Sequence, residues 1–130
     1  MRIFLALCFS LMAALSAKAD AITDVISAQL EAFCAQDTAR AFSYASPMIQ
    51  GMFGGPDQFG AMVREGYPAI WTPGTSKFTA REENGSTILQ RVLILDKEGI
   101  PHVMEYEMIE QPEGWKINGV REVPAPDLSA

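Results

Sequence analysis

Cysteine and histidine are almost missing from this chain of 130 residues, which holds Cys8, Cys34, His102 and no others of either type. A structural zinc site needs about four such ligands at set spacings, so no metal is expected. Cys8 falls inside a segment read below as a removable leader. Cys34 is then alone, and no internal disulfide can form whatever the redox compartment. It sits on the apolar stripe of the first expected helix, with no base or cation beside it, and is expected to be buried and inert. The chain also lacks a Gly-x-Ser-x-Gly elbow for a nucleophile. Gly51 and Gly54-Gly55 have neither the lysine nor the strand–helix setting of a phosphate-cradling loop. No cofactor is expected.

Positive charge is scarce as well. Ten basic residues face 16 acidic ones, a net charge of −6. Losing Arg2 and Lys18 with the leader leaves 8 basic residues against 16 acidic, a net charge of −8. Such a surface repels nucleic acid and anionic lipid, so neither is expected as a partner. Beyond residue 19 no apolar run approaches the length of a membrane helix.

What the chain does carry is a leader. Arg2 gives a positive start, Ile3 to Leu15 is an almost unbroken apolar run, and Ala17-Lys18-Ala19 has the small-x-small form of a cleavage site. A run of that length is too short for a membrane anchor. Residues 1–19 therefore read as a signal peptide cleaved after Ala19, and residues 20–130 as one exported domain, periplasmic or secreted. Leu7 before Cys8, and the short apolar run preceding it, argue against lipid attachment there.

The first mature segment is helical, because Ile22, Val25, Ile26, Leu30, Phe33 and Cys34 recur at three- and four-residue spacings. Asp37 suits the N-cap of a second helix, Thr38 to Ala45, which buries Ala41 and Phe42. Phe33 and Phe42 are both expected, fully buried, where the helices meet the sheet. Ser46-Pro47 reads as the end of that helix. Met48 to Phe53 is ambiguous, with a short strand as one option. Gly54-Gly55-Pro56-Asp57 restarts the chain into a third helix that stops near Gly66.

After Pro73 the pattern changes to strand. Glu83-Asn84-Gly85, Lys97-Glu98-Gly99 and Pro112-Glu113-Gly114 each place glycine third in a three-residue loop, which suits a bulged hairpin. Four antiparallel strands are expected near 75–82, 86–96, 100–111 and 115–123. Asn84-Gly85 as a two-residue turn would slip the first pairing and exchange its faces. Pairing Asp96 with Ile100 sets the central register. One face then carries Ile88, Gln90, Val92 and Ile94 beside His102, Met104, Tyr106 and Met108. The other carries Leu89, Arg91, Leu93 and Leu95 beside Val103, Glu105, Glu107 and Ile109, with Arg91 opposite Glu105. Helices can cover only one of these faces.

Specific residues then point to a family. Gln29-Leu30-x-Ala32-Phe33, Asp37, Ala41-Phe42-x-x-Ala45-Ser46-Pro47, Met52-Phe53-Gly54-Gly55-Pro56-Asp57-x-Phe59 and Tyr67-Pro68 resemble a bacterial family, domain of unknown function 4864. That family in turn resembles the nuclear transport factor 2-like superfamily. The resemblance implies an α+β cone: N-terminal helices packed on a curved antiparallel sheet of four or more strands, enclosing a pocket. Function stays open, since such folds serve isomerases, dehydratases, binding domains and dimerisation modules.

On the register above, the implied pocket receives Gln90, His102, Met104, Tyr106 and Met108. The expected role is a non-catalytic domain that binds a protein partner or a small, mainly apolar molecule, which such a wall suits. The alternative is an isomerase or hydratase in which Tyr106 steadies an enolate while Asp37 or Asp57 acts as base, although helix capping accounts for both aspartates. His102 follows Pro101 and reads as an ordinary, half-exposed histidine. Met104 and Met108 would stand about 13 Å apart, too far to share a copper ion. The uncovered face, with Leu89, Leu93, Leu95, Val103 and Ile109, is expected to form a homodimer aligned by Arg91, Glu105 and Glu107.

Overall fold

The computed structural model describes residues 21–124; the expected leader and its expected cleavage after Ala19 lie outside the described residues. Helix α1 covers residues 21–34 and buries Ile22, Ile26, Leu30 and Phe33, as the spacing predicts. It ends on Gln36 at φ 59°, where the Asp37 N–H reaches Ala32 O at 2.8 Å and the Gln36 N–H reaches Phe33 O at 2.9 Å. That pair of bonds satisfies carbonyls the helix would otherwise leave open. Cys34 lies just past the buried stripe, on the flank of this last turn, and is exposed rather than buried.

Asp37 caps α2 (Thr38–Ser43) by accepting the Arg40 N–H at 3.1 Å. The helix is shorter than the expected run to Ala45, because the backbone there is claimed by the sheet. Ala45 forms a parallel bridge with Ile117, with the Ser46 N–H on Ile117 O at 2.8 Å and the Ile117 N–H on Tyr44 O at 2.9 Å. Ser46-Pro47 does end α2, but it also starts another helix. Ser46 Oγ accepts the Ile49 N–H at 3.2 Å and Pro47 occupies the first turn of α3 (Pro47–Met52), where its missing N–H costs nothing. The ambiguous segment is thus helical. Helix α4 (Pro56–Gly66) buries Phe59, Gly60 and Val63, and a short α5 (Pro68–Trp71), not anticipated from the sequence, follows.

The second half is an open, curved antiparallel sheet in the order β1-β2-β3-β4, namely Pro73–Asn84, Thr87–Asp96, Pro101–Gln111 and Gly114–Val123. The chain is an α+β arrangement of helices followed by a four-stranded meander. Between β2 and β3 every partner matches the expected register, with Arg91 opposite Glu105 and Ile94 opposite His102. The outer hairpins differ. Asn84 pairs with Thr87 around a two-residue loop, Gly85-Ser86, with Gly85 at φ 66° in the first turn position. A register shift between Phe78 and Arg81 then re-aims β1. Gln111 pairs with Gly114 rather than with Trp115, and Asn118 bulges out between Ile117 and Gly119.

Val92, Ile94, Met104, Tyr106 and Met108 fill the helix-facing side of the sheet and join the α1 stripe in one core. Phe59 joins the helices to one another. Its ring lies 6.0 Å from Phe33, 5.3 Å from Phe42 and 5.7 Å from Phe53, so one side chain of α4 contacts rings placed by α1, α2 and the end of α3. Phe42 is only half-buried, at the rim of this cluster.

Truncating the buried hub, Phe59→Ala, is expected to cost about 3–5 kcal/mol in denaturant unfolding, with Phe42→Ala costing clearly less. A loss below about 1 kcal/mol at Phe59 would mean that the helices are not held through this ring.

Candidate functional site

The packing just described fills the middle of the sheet and leaves a gap towards the β4 edge. There the helices stand off from β4, and a cavity of about 350 Å³ opens against Ile117 and Val120. Its walls are Phe33 of α1, Ile49 and Met52 of α3, Phe53, Phe59, Met62 and Val63 of α4, Tyr67, Ile70 of α5, and Ile117 and Val120 of β4. Among the described residues no carboxylate, lysine, arginine or histidine lines it. Met52 is 66 % exposed while still lining the space, which places it at the mouth.

Polar side chains in this wall are few. Tyr67 Oη donates to Val120 O at 2.9 Å, tying the α4–α5 corner to the edge strand. Gln29, only 3 % exposed, donates from Nε2 to Ala41 O at 3.1 Å. Gln50, behind α3, spends its amide nitrogen on Phe42 O and Ala45 O. Polar residues at this margin thus serve the backbone of the helical corner, and the rest of the surface is apolar.

Gln90, Met104, Tyr106 and Met108 lie on the helix-facing side of the sheet, as the register implied, and all four are buried in solid core. None of them lines the cavity. Gln90 turns sideways to β1, donating to Ala80 O and Arg91 O. Tyr106 Oη is fully enclosed with no hydrogen-bond partner, and burial pushes its phenol pKa well up. Asp37 caps α2 and Asp57 lies exposed in the first turn of α4, so neither aspartate is brought to Tyr106. Some of the lining residues that sequence reasoning missed, among them Met52, Phe53, Phe59 and Tyr67, belong to the motif that carried the family resemblance, whereas Ile49, Met62, Val63, Ile70, Ile117 and Val120 do not.

His102 stands apart, half-buried at the far end of β3. Its Nε2 lies 3.0 Å from Asp96 Oδ2 and its Nδ1 2.9 Å from Glu122 Oε2. Only the doubly protonated ring can donate to both carboxylates. The Asp96 bond first, then the Glu122 bond, raises the His102 pKa above its usual value. Asp96 is lowered by the same His102 bond and by the Ile100 and Glu98 N–H groups. Among the described residues no group of three or more His, Cys, Asp or Glu is arranged to hold a metal ion.

The other sheet face carries Glu105, 7 % exposed although no helix among the described residues covers it. Arg91 Nε reaches one carboxylate oxygen at 3.2 Å and Arg121 the other at 2.8 Å. The expected Arg91–Glu105 pair is present, and the second arginine comes from β4.

A family model, domain of unknown function (DUF4864), matches residues 15–130. No curated protein matches the chain.

Two outcomes follow from these placements. Tyr106→Phe removes a hydroxyl without a partner, so unfolding stability should be unchanged or rise by up to about 1 kcal/mol. A loss beyond about 1.5 kcal/mol would reveal a bonded group or water at that oxygen. For His102 the raised pKa stabilises the fold fully below the unfolded-state value of about 6.5, and that stabilisation fades as pH rises through the higher folded value. An imidazole titration by NMR should therefore show a midpoint above 6.5. Stability should fall between about pH 6.5 and that midpoint in the parent protein, and level off above it, but not in His102→Gln. A midpoint at or below the ordinary value would mean that the two carboxylates do not hold the ring.

Proposed function

We propose that this chain, which belongs to the family of the domain of unknown function (DUF4864), is an exported non-catalytic domain of the nuclear transport factor 2-like kind. It binds one small, mainly apolar molecule in the cavity between the helices and β4. The observation that carries this reading is the cavity itself: about 350 Å³, walled by aromatic, methionine and aliphatic side chains. Each 100 Å² of apolar ligand surface moved into it contributes about 2.5 kcal/mol. The isomerase or hydratase reading needs Tyr106 and a carboxylate to meet in that space, whereas Tyr106 is sealed in the core and both aspartates sit at helix starts. Export is supported by Arg2, the apolar run to Leu15 and Ala17-Lys18-Ala19, with residence in the periplasm or medium as the consequence.

The reading includes a homodimer through the sheet. Leu89, Leu93, Leu95, Val103 and Ile109 lie on the face that none of the described helices covers, half-buried or exposed. The Arg91–Glu105–Arg121 cluster within that strip supplies charge for alignment.

Native mass spectrometry of untagged protein from its own periplasmic fraction tests all three parts. Two chains beginning at Asp20 are expected, each carrying the mass of one small molecule or taking up added naphthalene. Val63→Trp, which fills the cavity, should abolish the uptake, and Leu93→Glu should give folded monomers. A chain retaining residues 1–19 overturns export, and a monomeric parent at micromolar concentration overturns the dimer. Absence of both retained ligand and naphthalene uptake overturns the binding reading.

A further inference from the structure

We propose that the cavity reads a hydrogen-bond donor on its ligand through the amide oxygen of Gln29, so that the ligand class is a neutral apolar molecule bearing one hydroxyl or N–H group. The inference rests on the ligand-binding reading above and narrows it.

The orientation of the Gln29 amide is fixed by its surroundings. Nε2 faces Ala41 O at 3.1 Å, and the reversed amide would set two acceptors against each other. Oε1 is therefore turned away from α2, and it accepts no hydrogen bond from the described residues. It is not sealed in the core either. Tyr106 Oη is the only fully enclosed side-chain polar atom without a partner among the described residues, so the Gln29 oxygen keeps accessible surface. Gln29 is buried from bulk solvent and lines the cavity. The unsatisfied acceptor thus presents itself to the cavity.

Packing does not require this glutamine. Ala41 O already accepts the Tyr44 N–H at 3.3 Å, so an apolar side chain at position 29 would strand no backbone group. An amide oxygen withdrawn from water and left unpaired costs about 1–3 kcal/mol, which a ligand donor would recover. Tyr67 Oη has spent its proton on Val120 O and adds a second acceptor to the wall. Among the described residues no cation lines the space. A ligand carboxylate would meet no counter-charge there, so acids are disfavoured and neutral alcohols, phenols or amides are favoured.

The test is a calorimetric titration of the mature full-length protein with 2-naphthol and with 2-methoxynaphthalene, which keeps the shape but cannot donate. The parent protein should bind 2-naphthol more tightly even though it is the more water-soluble of the two. Gln29→Met should reduce the naphthol-to-ether affinity ratio by about tenfold, chiefly by weakening naphthol. If the ether binds the parent as tightly as naphthol or more so, the oxygen is satisfied by water and the donor inference fails, while apolar binding stands. If the ratio is unchanged in Gln29→Met, another group reads the hydroxyl and the inference again fails. Binding of neither probe overturns the ligand-binding reading and this inference with it.

Discussion

The rest of the structure depends on one short backbone junction, where Ala45 and Ser46 clamp the helical layer to the edge strand β4. Two main-chain hydrogen bonds, from Ser46 to Ile117 and from Ile117 to Tyr44, end α2 and fix the position of α3. Ser46 is wholly buried and works in both directions: its hydroxyl donates to Asn118 Oδ1 at 2.7 Å and accepts from the first turn of α3. An open edge strand is exposed to foreign pairing, and a covering corner removes that hazard. The junction also explains the bulge. Asn118 leaves the β3 ladder in order to meet Ser46, and its amide nitrogen turns to Glu107 on the other face.

That clamp separates the sheet into a filled centre and a margin that is held open. Phe59 draws three aromatic rings into one cluster, while the corner at Ser46 keeps α3 from settling further onto β4. Aromatic rings are large and rigid, so a cluster held at one end leaves space at the other. The cavity is thus a product of two fixed contacts rather than of loose packing. Met52 and Met62, with several rotatable bonds each, line the part of the wall that can adapt.

Much of this was legible in the sequence, and the limits are physical. The β2–β3 register could be read because Asp96 pairs with Ile100 around a loop of fixed length, and alternation carries the register along both strands. The outer hairpins could not be read as well. Glycine at positive φ was correctly sited at Gly85 and Gly114, yet the same residue serves more than one loop length, and the shift at Phe78–Arg81 has no sequence mark. Ser46-Pro47 showed a helix ending but hid the one beginning, since serine and proline favour both events. Cys34 missed burial by a fraction of a turn. The cavity lining was the hardest part. Gln90, Met104, Tyr106 and Met108 do face the helices, but whether such a face meets protein or empty space depends on where another layer stops.

Two partnerless polar atoms show how that difference separates structure from recognition. Tyr106 Oη and Gln29 Oε1 both belong to residues withdrawn from solvent, and neither accepts or donates a bond through that atom. Around Tyr106 the core closes completely. A ligand cannot reach the hydroxyl without breaking the packing of the core around it, so the atom is a cost borne by the fold. Around Gln29 the wall is open on one side and otherwise apolar, so the same kind of cost can be relieved by whatever enters. Tyrosine in a sheet centre looks like chemistry in a sequence, and glutamine on a helix stripe looks like an intrusion. Access, which only the packed layers determine, reverses that ranking: the tyrosine is sealed in the core, and the glutamine borders open space at the margin of the sheet.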